Sequence, residues 1–165
     1  MFGVMIVSCG QREGNVLGAG TSFHLGKGSS QLFRLPDSST VVLSPETSVY
    51  LEKGFGRDNR EIQLDGAALF QVKGMPGRPF VIHTRDLEIV VLGTKFRVDA
   101  YRSKAGEEVD VVDGELRVKK SYHSDTDNEP EVLQAGEMVM INRDIDLMEK
   151  EKLSPEELSH VKAMW

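Results

Sequence analysis

The stretch RPFVIHTRDLEIVVLGTKFRVDAY, Arg78–Tyr101, decides the fold. It holds two β-type runs, Phe80–Thr84 and Leu87–Leu92, then a Gly93-Thr94 break and a third run, Phe96–Tyr101. In the third run Phe96, Val98 and Ala100 alternate with Arg97, Asp99 and Tyr101. That period of two marks a strand with one buried face. Leu87–Leu92 is nearly all apolar and reads as a strand covered on both faces or nearly so. Gly93 leaves little room for a loop between two strands, which predicts a bulge or tight corner where a Cβ does not fit.

Toward the N-terminus the same grammar continues. Gly18–Ser30 is a Gly/Ser-rich linker passing into a first strand around Thr21–Leu25, and Gln31–Leu35 follows. Pro36-Asp37-Ser38-Ser39 is a turn, because proline presets φ while Asp and Ser bond the local backbone. Thr40–Leu43 and Ser48–Glu52 are strands around a turn at Ser44-Pro45-Glu46. Phe55–Asn59 reads as a polar connection, and Arg60–Leu64 as a strand with Ile62 and Leu64 inward. Asp65-Gly66 reads as a turn before Ala67–Val72.

Toward the C-terminus, Val109–Val112 and Glu115–Lys119 flank Asp113-Gly114, which predicts a type I′ hairpin. Ser121–Glu131 reads as a solvated acidic loop, and Val132–Leu133, Met138–Ile141 and Ile145–Met148 close the β region. Ser154-Pro155-Glu156-Glu157 then has the pattern of a capping box with proline at the first helical position. Leu158, Val161 and Trp165 form one apolar stripe on that helix. A helix so short is marginal alone, so the stripe is expected to dock on the β domain or, in a longer relative, on a following domain, the first being favoured.

The expected fold is all-β, a jelly-roll-like β-sandwich of about ten to twelve short strands with a short C-terminal helix. The expected organisation is an apolar tail and linker over 1–20, a β domain over 21–150 and the helix over 151–165.

At 165 residues the chain is long enough to bury a core of its own. A net charge of −6 argues against a nucleic-acid binder, which needs a basic stripe. No apolar run reaches the ~18–20 residues that span a bilayer. The single cysteine, Cys9, excludes an internal disulfide. It follows the apolar run Met1–Val7, and Ile6-Val7-Ser8-Cys9 resembles a lipobox, the signal for lipidation of that cysteine. Three readings stay open: a lipidated Cys9, the outer end of a transmembrane helix, and a plain apolar tail with a spare thiol.

Catalytic constellations are missing from the sequence. His24, His83, His123 and His160 are scattered without H-x-H or H-E-x-x-H spacing, so no metal is expected. Asp125-Thr126-Asp127-Asn128-Glu129 opens like a calcium loop, but Pro130 stands where the loop needs glycine. Ser38, Ser39, Ser44 and Ser48 have no nearby histidine base, and there is no G-x-S-x-G elbow. Gly26-Lys27-Gly28-Ser29-Ser30 lacks the spacing of a phosphate loop. Neither an enzyme nor a cofactor is expected.

Six pieces in order resemble the FecR family: Leu35–Ser39, Arg60–Val72, Arg78–Thr84, Val91–Tyr101, Asp113–Val118 and Leu133–Glu137. Two departures stand out, since the family usually has glycine at the position of Ser38 and Gly-Glu at Gly66-Ala67. The resemblance implies the extracytoplasmic part of a regulator that controls a cytoplasmic sigma factor in Gram-negative bacteria. It implies a periplasmic location with an N-terminal membrane anchor. The implied partner is the periplasmic signalling domain of a TonB-dependent outer-membrane transducer, with iron or polysaccharide uptake as the kind of signal. A typical member also carries a sigma-binding region and a transmembrane helix before this part, and commonly a small domain after it. This chain shows none of the three, so a sigma factor would be reached only through a cytoplasmic region that the chain lacks. The competing expectation is a structural or carbohydrate-binding β-sandwich lipoprotein, for which 7% aromatic content supplies few sugar-stacking platforms.

Overall fold

The computed structural model describes residues 15–165, which form fourteen strands and one α-helix. In chain order the strands are β1 (Asn15–Val16), β2 (Ser22–Leu25), β3 (Gln31–Arg34), β4 (Thr40–Leu43), β5 (Thr47–Leu51), β6 (Glu61–Gln71) and β7 (Phe80–His83). They continue as β8 (Leu87–Val91), β9 (Lys95–Ala100), β10 (Gly106–Asp113), β11 (Glu115–Lys120), β12 (Glu131–Gln134), β13 (Glu137–Asn142) and β14 (Leu147–Lys152). A single 3-10 turn, Arg143–Ile145, precedes β14, and α1 (Pro155–Lys162) ends the chain.

Two sheets pack face to face. The first has the order β1-β3-β4-β6-β9-β10-β13-β14 and the second β2-β5-β6-β7-β8-β11-β12. Only β1/β3 and β6/β7 are parallel. The expected all-β sandwich is the observed fold, with more strands than the sequence suggests.

β6 belongs to both sheets. Its first half, to Asp65, pairs with β5 and β7, and its second half, from Gly66, pairs with β4 and β9. Asp65-Gly66 is therefore a crossing inside one strand, not the turn its composition suggests. Gly66 has φ +130°, and a Cβ there would sit 2.7 Å from Thr47 Cα. Where the ladder changes partners, the Thr47 hydroxyl donates to the Ala67 carbonyl and accepts from the Ala67 N–H, both at 3.1 Å. One side chain thus replaces the backbone bonds that the crossing removes.

Asp113-Gly114 is also a crossing. β10 lies in the first sheet and β11 in the second, so the expected type I′ hairpin does not form. Of the two residues only Gly114 has positive φ, whereas a type I′ turn needs it at both. The corner stacks on the β8–β9 corner at Gly93, so that a Cβ on Gly114 would lie 2.6 Å from the Gly93 carbonyl oxygen. The tight corner expected at Gly93 is present.

Alternate residues fill the space between the sheets. Phe96, Val98 and Ala100 all point inward, as their spacing predicts. Leu87, Ile89 and Val91 are buried, but Val90 is half-buried and Leu92 is 62% exposed. β8 is thus covered on one face, because the outer side of its sheet meets solvent. Phe55, placed by sequence in a polar connection, is core and meets Phe80 edge-on at 5.7 Å. Leu17, placed in the tail, is buried beside β1.

α1 carries the expected capping box. The Ser154 hydroxyl accepts from the Glu157 N–H at 3.2 Å, and the Glu157 carboxylate accepts from the Ser154 N–H at 2.7 Å. The helix lies against β10 on the outer face of the first sheet, with Val161 buried and Leu158 and Trp165 half-buried. Lys95 Nζ stands 4.4 Å from the centre of the Trp165 ring.

Candidate interaction surface

The residues that carry the family resemblance build the frame. Asp37 bonds its own turn, accepting from the Ser39 N–H at 3.0 Å and the Ser39 hydroxyl at 2.8 Å. Arg60 reaches the same carboxylate at 2.8 Å and donates to the carbonyls of Arg78 and Lys73. Its guanidinium also lies over the Phe80 ring. Three of the six pieces therefore meet at one buried node. Ser38 has φ +69°, which accounts for the glycine usual at that position.

The histidines remain apart. His24 Nδ1 is 2.9 Å from the Ser48 hydroxyl, so Ser48 does have a histidine neighbour, brought there by the β2–β5 register and not by sequence proximity. His83 Nε2 is 3.2 Å from Glu61, and His123 and His160 are exposed. Among the described residues no group of three or more His, Cys, Asp or Glu could hold a metal ion. Cys9 and the run Met1–Val7 lie outside the described residues.

The acidic loop is better organised than a solvated loop should be. Ser124 is buried, and its hydroxyl receives Lys120 Nζ at 2.7 Å and donates to Asp146 at 2.8 Å. The bond from Ser124, with help from Lys120 and Thr126, lowers the Asp146 pKa to about 2. Asp125–Pro130 remain exposed. The positive φ of Asp146, +47°, aims its carboxylate at the loop, a long-range relation without a local sequence signal.

Two more charged clusters escape sequence reading. On the outer face of the first sheet Arg97 bonds Asp99, Glu108 and Asp110 at 2.8–2.9 Å. Asp110 is buried, which together with neighbouring Glu108 raises its pKa to about 6. At one end of the sandwich Glu107 accepts from the Thr84 hydroxyl and the Asp86 N–H, and burial raises its pKa. The Thr84 hydroxyl beside Glu107 also accepts from the Leu87 N–H at 2.9 Å and lies 3.3 Å from the Leu87 carbonyl, so it is tied into the turn between β7 and β8.

Two small concavities lie among the described residues. One of about 230 Å³ lies between the end of α1 and the outer face of the first sheet, lined by Val42, Leu69, Arg97 and Met164. Another of about 220 Å³ lies beside Arg60 and Arg78. Both fall short of the ~300–1,000 Å³ typical of small-molecule sites.

The fold is an all-β sandwich closed by a short C-terminal helix. The FecR protein family model matches residues 21–117, which takes in most of the strand framework. The chain belongs to the FecR family. It also resembles two crystal structures of a protein assigned as an anti-sigma factor, from Parabacteroides distasonis ATCC 8503, at 2.50 and 1.65 Å resolution. Each has 25% sequence identity and a TM-score of 0.74. The match covers 84% of this chain and 62% and 63% of the respective relatives, so the chain spans less than two thirds of their length. No curated protein matches the chain. Among the described residues no helix is long and apolar enough to cross a membrane.

Proposed function

We propose that this chain is the periplasmic signalling part of a FecR-type regulator of an extracytoplasmic-function sigma factor. The observation that carries the reading is the family match over residues 21–117, whose shared pieces coincide with the buried Asp37–Arg60 node and the two crossings. The likeness to the anti-sigma factor from P. distasonis supports the same direction. The chemistry is protein recognition without turnover, and the partner is the periplasmic signalling domain of a TonB-dependent transducer for iron or polysaccharide. Contact with the sigma factor belongs to a cytoplasmic region of the kind that precedes this part in the family. The domain is held at the membrane by an N-terminal anchor, with lipidation at Cys9 as one form.

Two experiments test this. In cells carrying the transducer and a sigma-dependent reporter, deletion of the gene should uncouple the reporter from the transported signal. An unchanged response would remove the signalling role. Palmitate labelling that is lost in Cys9→Ala would support the lipid anchor, and equal labelling of both proteins would exclude it.

A further inference from the structure

We infer that the free edge of β14 is a docking strand for a basic extended segment of a partner protein. The inference rests on strand order and charge and is independent of the partner's place in a pathway.

β14 pairs only with β13, and among the described residues no strand covers its other side. The Leu153 N–H donates to the Gly136 carbonyl on the β13 side. Backbone direction alternates along a strand, so the N–H and C=O groups of Met148, Lys150 and Lys152 face away from the sheet. Those groups can take an added strand.

The two faces of β14 differ. Met148 packs toward the core, and Lys150 on the same side is held by the Val132 carbonyl at 3.3 Å and by Glu131 at 3.6 Å. The outer face carries Leu147, Glu149 and Glu151. Across β13 the register continues as Glu149–Met140–Glu108. Leu147 is 41% exposed and Met140 is 42% exposed. The outer face thus offers an apolar contact followed by two carboxylates with no salt bridge.

The charge is regional as well as local. From Ser121 to Glu157 the chain has eleven acidic residues and three basic ones, a balance more negative than that of the whole chain. A second copy docked edge to edge would bring Glu149 and Glu151 against their own kind, which is unfavourable for directly opposed pairs. The complementary segment has Lys or Arg at alternate positions to face the two glutamates and an apolar residue to meet Leu147.

The test titrates the full chain into a labelled peptide of about ten residues alternating Val with Lys, and into a matched peptide with Glu for Lys. The Lys peptide should saturate with a Kd of roughly 10–100 μM at low salt, and the Glu peptide should not bind. Glu149→Lys combined with Glu151→Lys should weaken binding about tenfold or more. Lys150→Pro should do the same by removing an outward N–H, while Lys150→Ala should not. Thermal melts confirm that each variant is folded. Failure of the Lys peptide to bind overturns the inference. Unchanged binding by folded Lys150→Pro also overturns it, since the contact would then be diffuse charge attraction. A concentration-dependent dimer that excludes the peptide would make the occupant a second copy, which is equally contrary.

Discussion

Arg60 and Asp37 form an ion pair whose side chains are 1% and 0% exposed, joining the turn before β4 to the start of β6. Both charges are desolvated, so the node holds only while every polar group is paired. The Arg78 and Lys73 carbonyls and the Ser39 hydroxyl complete that pairing.

Arg60→Met is expected to destabilise the fold by about 3–5 kcal/mol, because it strands a buried carboxylate. Chemical denaturation should show the loss as a lower midpoint. Arg60→Lys should recover only part of it, since an ammonium cannot reach three separated oxygens with the planar fork.

Ser38→Gly should raise stability. Left-handed backbone costs a side-chain-bearing residue about 1–2 kcal/mol, against about 0.5–1 kcal/mol for the extra freedom of unfolded glycine. The net gain is about 0.5–1 kcal/mol, read as a higher melting temperature.

Much of the frame is legible in the sequence. The alternation of Phe96–Tyr101, the corner at Gly93 and the Ser154–Glu157 capping box are local patterns, and each occurs as written. Sheet assignment is not local. Asp65-Gly66 and Asp113-Gly114 have the composition of turns, yet both carry the chain between sheets. The charged clusters were hidden for a related reason. Asp110 sits on the polar phase of β10, and its burial arises on the sheet face where α1 docks. Arg60 and Asp37 are 23 residues apart, and nothing near either announces the other.

The raised Asp110 pKa of about 6 has a definite sign. The folded state holds this proton more tightly than the unfolded state, so stability falls as pH rises from about 4 to about 6. Asp146, lowered to about 2, acts oppositely, its contribution being present above pH ~4 and lost as pH falls toward 2. Asp110→Asn should flatten the fall between pH ~4 and ~6 and stabilise the protein at neutral pH by about 1–3 kcal/mol. Melting temperature against pH for both proteins is the check.

Docking of α1 is tested at its stripe. Val161→Ala should cost about 1 kcal/mol through lost burial. Trp165→Ala should lower the melting temperature and remove the ring that Lys95 approaches. The Trp165 emission of the unsubstituted protein should be that of a partly shielded indole, shifting red on unfolding. An unshifted melting point in both variants would show that the helix adds nothing to the sandwich.

The proposed partnership is tested by calorimetric titration of the purified chain with the periplasmic signalling domain of a TonB-dependent transducer from the same organism. A one-to-one complex with a Kd around the micromolar range is expected, as for a reversible signalling contact. No binding heat at several temperatures, with both partners folded, would contradict it.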